Sequence, residues 1–191
     1  MIKFGTDGWR AILDKDFTAQ NVERVTLAIG KYIFDNFGFD KLIIVGYDPR
    51  RMANEYALQC ATTLANKGFK VKLSSRVLPT PVLAYNAKLL NASAIMFTAS
   101  HNPADYLGMK FIPEYAGPAT SEITDEIVSN IDKDFASQEG GFLEKVDNKW
   151  QEIWTIKACS KTALVPINFE LNEKGGTYGI DPMKVQVLSN D

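Results

Sequence analysis

The sequence is short of the residues that most often disclose a function. It has two cysteines, Cys60 and Cys159, and a single histidine, His101. Two cysteines do not make a disulfide framework or a zinc site. A charge excess is also missing: 21 Lys and Arg stand against 23 Asp and Glu, a formal net charge of -2. A general nucleic-acid binder shows a basic excess, so no nucleic-acid partner is expected. Long apolar runs are absent too. Leu42–Val45 is among the longest, far below the ~20 residues that a membrane span needs. No apolar signal core is visible in Met1-Ile2-Lys3-Phe4-Gly5. The expectation is a soluble, cytoplasmic protein with no membrane partner. What is present is ordinary for a globular fold, with 46% hydrophobic and 23% charged residues over 191 positions. That suits one generous domain, or one domain with an appendage.

The chain divides unevenly. Residues 1–136 carry strong periodicity, and residues 137–191 form a tail that does not read as a recognisable domain. Val22, Val25, Ile29, Tyr32 and Ile33 predict a helix over 18–37, with Thr18 as its cap and Gly38 as its stop. Leu42–Val45 and Ala94–Phe97 are continuous apolar runs that suit strands buried on both faces. Between them, a helix is predicted over 52–67, an alternating strand over Phe69–Leu73, and a helix from Thr80-Pro81 to Leu90. Gly108–Ile112 reads as a further strand. Ile123, Ile127, Ile131 and Phe135 predict a last amphipathic helix over 121–135. In the tail, Trp150, Ile153 and Trp154 suggest one short helix, Ala163–Leu171 a strand interrupted by Pro166, and Gly175-Gly176 a turn. Strand–helix alternation of this kind predicts an α/β layered domain with a mostly parallel sheet. Ligands of such sheets bind outside the carboxyl ends of the strands, which directs attention to the loops after Val45 and Phe97.

Four segments carry the polar groups that chemistry needs. Thr98-Ala99-Ser100-His101-Asn102-Pro103 follows a buried strand, and Asn-Pro presets a turn that holds Ser100 at a loop tip. A serine hydroxyl needs an activating base or a polarised target; without them the segment is a solvated turn. No G-x-S-x-G elbow surrounds Ser100 and there is no second histidine, so a hydrolase triad is a poor reading. Phe4-Gly5-Thr6-Asp7-Gly8-Trp9-Arg10 is either a simple turn or a loop whose amides and Arg10 bind an anion. Gly46-Tyr47-Asp48-Pro49-Arg50-Arg51 is either a solvated charge pair at a helix start or a phosphate site. Lys110, ten residues past Ser100, is either an exposed strand lysine or a group returning to the same pocket.

Together and in this order, these segments resemble the first domain of the phosphohexomutases, the family of phosphoglucomutase, phosphomannomutase and phosphoglucosamine mutase. Thr98–Pro103 looks like the family's phosphoserine loop. Phe4–Arg10, Gly46–Arg50 and Pro79-Thr80-Pro81 are similar to accompanying motifs, and the resemblance covers about residues 1–136. It implies a three-layer α/β/α domain with a mixed, mostly parallel sheet. It implies phosphoryl transfer between C1 and C6 of a hexose phosphate through a hexose 1,6-bisphosphate, with Ser100 as the phosphoryl carrier. It further implies catalytic roles for Ser100, His101, Lys110 and Arg10, phosphate or substrate contacts from Thr6, Asn102 and Arg50, and Mg²⁺ held at Ser100 through its phosphate. Leu107 stands where the family carries Asn, so an amide contact to the loop is lost or replaced. The family's aspartate-rich Mg²⁺ loop, sugar-reading loop and second phosphate loop have no counterpart here. The expectation is therefore a domain that carries the nucleophile without the whole pocket. The alternative is a non-catalytic remnant that binds a phosphosugar or a partner protein, with an oligomer contact or a missing-domain contact on its surface.

Overall fold

In a computed structural model, residues 2–6 and 8–146 are described in full, and residues 149–158, 161–172, 175–180 and 186–188 as strand backbone. The chain forms two compact units, Met1–Val146 and Asp147–Asp191.

The first unit is built on one six-stranded sheet. Its elements are β1 (Trp9–Ile12), α1 (Ala19–Phe37), β2 (Ile43–Tyr47), α2 (Ala53–Lys67), β3 (Lys70–Ser74), α3 (Thr80–Leu89), β4 (Ser93–Phe97), β5 (Tyr106–Ile112), α4 (Ser121–Ser129) and β6 (Phe142–Val146). The strand order is β1-β5-β4-β2-β3-β6. The β4-β2, β2-β3 and β3-β6 pairs are parallel, and β1-β5 and β5-β4 are antiparallel. This is the mixed, mostly parallel α/β sheet that the sequence predicts.

The apolar runs become the central strands for a physical reason. β2 and β4 are buried on both faces, so every position from Ile43 to Val45 and from Ala94 to Phe97 is apolar. One face carries the larger core, where Val45, Val71, Ile95, Phe97 and Met109 meet Val25, Ile29 and Ile33 of α1 and Ala57, Cys60 and Leu64 of α2. α2 lies on β2, β3 and β4, with α1 against α2 and α4 against α1. α3 packs on β2 and β4 from the other face. There Gly46 leaves room for Leu78 and Leu83; a Cβ on it would sit 2.8 Å and 3.2 Å from them. Thr18 caps α1 by accepting the Asn21 N–H, and Gly38 ends the helix at φ 72°. Cys60 is completely buried, which pushes its thiol up to about 12 against a smaller opposing contact with Thr26.

Several expectations are corrected. The last helix stops at Ser129, six residues short of the predicted end. The Asn130 N–H closes it onto Glu126 O and Ile127 O, and Asp132 takes a left-handed φ of 65°. The apolar spacing continues past the helix because a loop carries Ile131 and Phe135 onto the same core. Phe135 lies 5.8 Å from Phe34 and 6.3 Å from Phe69, ring centre to ring centre. Two edge strands went unpredicted. β1 emerges from a segment that reads as a loop, and β6 is a largely exposed strand added alongside β3.

The second unit is an antiparallel sheet of β7 (Lys149–Ala158), β8 (Lys161–Asn172), β9 (Gly175–Ile180) and β10 (Gln186–Leu188). The short helix expected around Trp150 and Trp154 is instead β7, which pairs along its whole length with β8. The strand expected over Ala163–Leu171 lies inside β8, and Pro166 stands opposite Ile153. Gly175-Gly176, expected as a turn, opens β9. Cys159 lies outside the described residues. Among the described residues no helix is long and apolar enough to cross a membrane.

Candidate active site

β2 and β4 are parallel neighbours, with Tyr47 opposite Phe97. Their exit loops therefore leave the sheet side by side, and the Asp48 N–H donates to the Phe97 carbonyl at 3.0 Å. The loop after β4 folds back at once into β5. The Thr98 N–H donates to Gly108 O, the Asn102 N–H to Ala99 O and the Tyr106 N–H to Pro103 O, each at 3.0 Å. Ala99 is buried, while Ser100 and His101 are exposed. Ser100 takes a left-handed φ of 54°, a conformation that costs a non-glycine residue roughly 1–2 kcal/mol. Its N–H donates to Thr98 Oγ1 at 3.0 Å, and its Oγ lies 3.5 Å from His101 Nδ1. Among the described residues no carboxylate is hydrogen-bonded to His101, so the third group of a hydrolase triad is not in place there.

Arg50 lies beneath this loop and is engaged on every side. Its Nη1 donates to Pro103 O at 2.8 Å and Tyr106 O at 3.1 Å, and its Nη2 to Ser100 O and Asn102 O at 2.8 Å. Its Nε lies 3.5 Å from Asp48 Oδ2, and its own backbone N–H donates to Asp48 Oδ1 at 3.1 Å. A guanidinium has five N–H donors, and five protein oxygens surround this one. The donors of Arg50, expected as a phosphate ligand, are turned inward onto the serine loop.

Arg10 reaches the same loop from β1. It stands opposite Gly108, and its Nη1 donates to Asn102 Oδ1 at 3.1 Å. Asn102, expected as a substrate contact, thus gives its side-chain oxygen to Arg10. Gly108 makes this approach possible, because a Cβ there would sit 2.5 Å from Thr98 O and 2.9 Å from both Arg10 Cγ and Trp9 O. Thr6 is exposed in a turn closed by paired Gly5 and Gly8 hydrogen bonds, 3.2 Å and 2.8 Å. Gly8, at φ 86°, packs directly against the β5 backbone at Met109 and Lys110. Lys110 pairs with Met96 across the sheet, is partly exposed, and makes no hydrogen bond or ion pair among the described residues. Leu107 is completely buried in the core.

The fold thus brings the N-terminal turn, β1, β5 and both exit loops to one end of the sheet. Thr98, Asp48 and Gly8 lie in segments that the sequence singles out, but their individual contacts, and the close approach at Gly108, are not read from it. Asp48 is the one with a visible signal, two residues before Arg50. No cluster of three His, Cys, Asp or Glu side chains that could hold a metal exists among the described residues.

Residues 1–138 match the family model for phosphoglucomutase/phosphomannomutase, alpha/beta/alpha domain I. The chain belongs to that family. Among curated relatives it is 37% identical over 214 residues to a phosphoglucosamine mutase of Thermoanaerobacter pseudethanolicus, covering 98% of this chain and 47% of the relative. It is 30% identical over 155 residues to a phosphoglucomutase of Staphylococcus saprophyticus, covering 78% of this chain and 28% of that protein. A solved structure from Thermus thermophilus, assigned to phosphomannomutase, superposes with a TM-score of 0.69 at 33% identity over 76% of this chain and 33% of the other. The chain spans between about a quarter and a half of the length of these mutases. The family-model match is to the phosphohexomutase domain I, on which the Ser100 loop lies.

Proposed function

We propose that this chain supplies the phosphoserine-bearing domain of a hexose-phosphate mutase. The observation that carries the reading is Ser100: its backbone is held on both sides, and its hydroxyl is left exposed beside His101. Ser100 Oγ attacks the phosphorus of a hexose 1,6-bisphosphate, the P–O bond to the sugar breaks, and the serine proton passes by way of a base to the departing sugar oxygen. In the return step a hexose monophosphate hydroxyl takes the phosphoryl group from Ser100, so the phosphate moves between C1 and C6. Phosphoryl transfer depends mainly on positioning and on cations near the developing charge. Arg10 and Lys110 are the cations assigned that role in this reading, with His101 beside the nucleophile and Thr6 as a phosphate contact. Mg²⁺ does not fit the described residues. A hard cation takes several oxygen ligands, and here only a phosphorylated Ser100 would offer them, so no step is assigned to it.

Intact mass before and after incubation with glucose 1,6-bisphosphate and Mg²⁺ tests the reading. The expected result is one phosphoryl group mapped to Ser100 and absent from Ser100→Ala. No gain in either protein would sink the idea that this chain accepts phosphate by itself. The second reading, a non-catalytic binding module, draws on Tyr85, Leu89 and Leu90, which are exposed near the end of α3. Light scattering of the purified chain that shows a stable oligomer, with no phosphoryl uptake, would favour it.

A further inference from the structure

We propose that Arg50 is a positioning residue, and that the planar fork of its guanidinium, rather than its charge alone, sets Ser100 in its accepting geometry. The inference rests on the reading of Ser100 as phosphoryl acceptor.

Ser100 is a non-glycine residue in a left-handed conformation at an exposed loop tip. Such a conformation persists only where its surroundings over-determine it. Here the two peptide groups that flank its Cα are both fixed. The N–H is held by Thr98 Oγ1 at 3.0 Å and the carbonyl by Arg50 Nη2 at 2.8 Å. The remaining Arg50 donors fix the carbonyls of Asn102, Pro103 and Tyr106. One side chain thus gathers the serine loop from its tip to the first residue of β5. The clamp is itself fixed, because Asp48 receives both the Arg50 backbone N–H and the Nε side of the guanidinium. The Arg50 and Asp48 side chains are only 16% and 18% exposed, so water competes weakly for these bonds.

The geometry also bears on charge. Four backbone carbonyls would otherwise be free to turn their lone pairs toward an incoming dianion. Converging on one cation, they are occupied, and the loop presents the Ser100 hydroxyl instead. A lysine would keep the positive charge but offers a point of three donors in place of a rigid fork. It cannot span four carbonyls whose positions match a planar group.

The test compares Arg50→Lys and Arg50→Ala with the unaltered chain, in two readouts. The first is the rate of phosphoryl uptake at Ser100 as glucose 1,6-bisphosphate is varied. A small misplacement of a reacting group costs on the order of 100-fold in rate. Arg50→Lys is therefore expected to lower the saturating rate by roughly 10- to 100-fold, with the half-saturating concentration changed by less than about threefold. Free guanidinium ion added to Arg50→Ala is expected to restore part of the rate, and ammonium ion is not. The second readout is amide hydrogen exchange of residues 99–107, expected to quicken at least about tenfold in Arg50→Lys while the core strands keep their protection. Unaltered exchange in both variants overturns the proposal, whatever the uptake shows. So does a saturating rate in Arg50→Lys equal to that of the unaltered chain. If the unaltered chain takes up no phosphate, the proposed function fails by that result, and the exchange readout alone decides the clamp: quickened exchange supports it and unchanged exchange overturns it.

Discussion

Two loops of the first unit solve the same problem in different ways. The serine loop and the segment after α4 each contain a non-glycine residue in the left-handed region, Ser100 at φ 54° and Asp132 at φ 65°. An arginine fork grips each. Arg50 grips backbone carbonyls and is largely shielded from water. Arg24 grips the Asp132 carboxylate with two bonds, 2.7 Å and 2.6 Å, and both partners stand in solvent at 39% and 59% exposure. The carbonyl clamp has no titratable acceptor among the loop oxygens it holds. The carboxylate clamp does, and it is open to screening by salt. A loop meant to hold one side chain in one place is better served by the first arrangement. A loop that only carries Ile131 and Phe135 back to the core is served adequately by the second.

The comparison can be broken from the strong end downward. Ser100→Ala is expected to abolish phosphoryl uptake completely while leaving the melting temperature within about 2 °C, since the exposed hydroxyl adds no core contact. Mass spectrometry and calorimetry on the same sample check both halves. Next comes the exchange of forks. Arg50→Lys is expected to slow uptake by roughly 10- to 100-fold, whereas Arg24→Lys, with a carboxylate that a point charge can still pair, leaves uptake unchanged. Parallel uptake assays on the two variants decide it, and equal losses would erase the distinction between the clamps.

A smaller effect is expected at Gly108, where a methyl group would meet Thr98 O, Arg10 Cγ and the Trp9 carbonyl. Gly108→Ala is expected to cost roughly 1–3 kcal/mol of stability from overpacking, read from denaturant midpoints at unchanged slope. The smallest effect is the acid response of the exposed clamp. The Arg24 hydrogen bond lowers the Asp132 carboxyl from its ordinary 3.8. A lowered folded value means that the stabilisation is complete above 3.8 and disappears as pH falls through the folded value. Asp132→Asn is therefore expected to flatten the stability profile slightly below pH 3.8 and to change little at neutral pH. A profile that stays as steep as before would show that this clamp contributes nothing.

The central strands were legible because burial on both faces leaves no choice of residue type. Leu42–Val45 and Ala94–Phe97 announce β2 and β4 by composition alone. The edge strands were hidden for the converse reason. β6, Phe142–Val146, is mostly exposed and carries Glu144 and Lys145, so its sequence resembles a loop. The end of α4 was hidden because Ile131 and Phe135 keep helical spacing while the backbone abandons the helix. β7 misleads similarly, as Trp150, Ile153 and Trp154 keep helical spacing in a strand. In the candidate site, Ser100, His101, Arg10 and Lys110 stand out in the sequence by side-chain identity and order, and the fold brings their segments to one end of the sheet. The work of Arg50 was not. Its partners are carbonyl oxygens, which every residue possesses, so nothing in the sequence marks Ser100, Asn102, Pro103 and Tyr106 as its acceptors.

Cys60 has a practical consequence. Its thiol is completely buried, in contact with Thr26 of α1, and burial raises it to about 12. Alkylating reagents attack the thiolate of a reachable sulfur, and near neutral pH this sulfur is neither ionised nor accessible. Labelling at Cys60 must therefore wait for the first unit to open. Counted peptide by peptide, it is a native clock for that opening, already installed in the chain and independent of any activity.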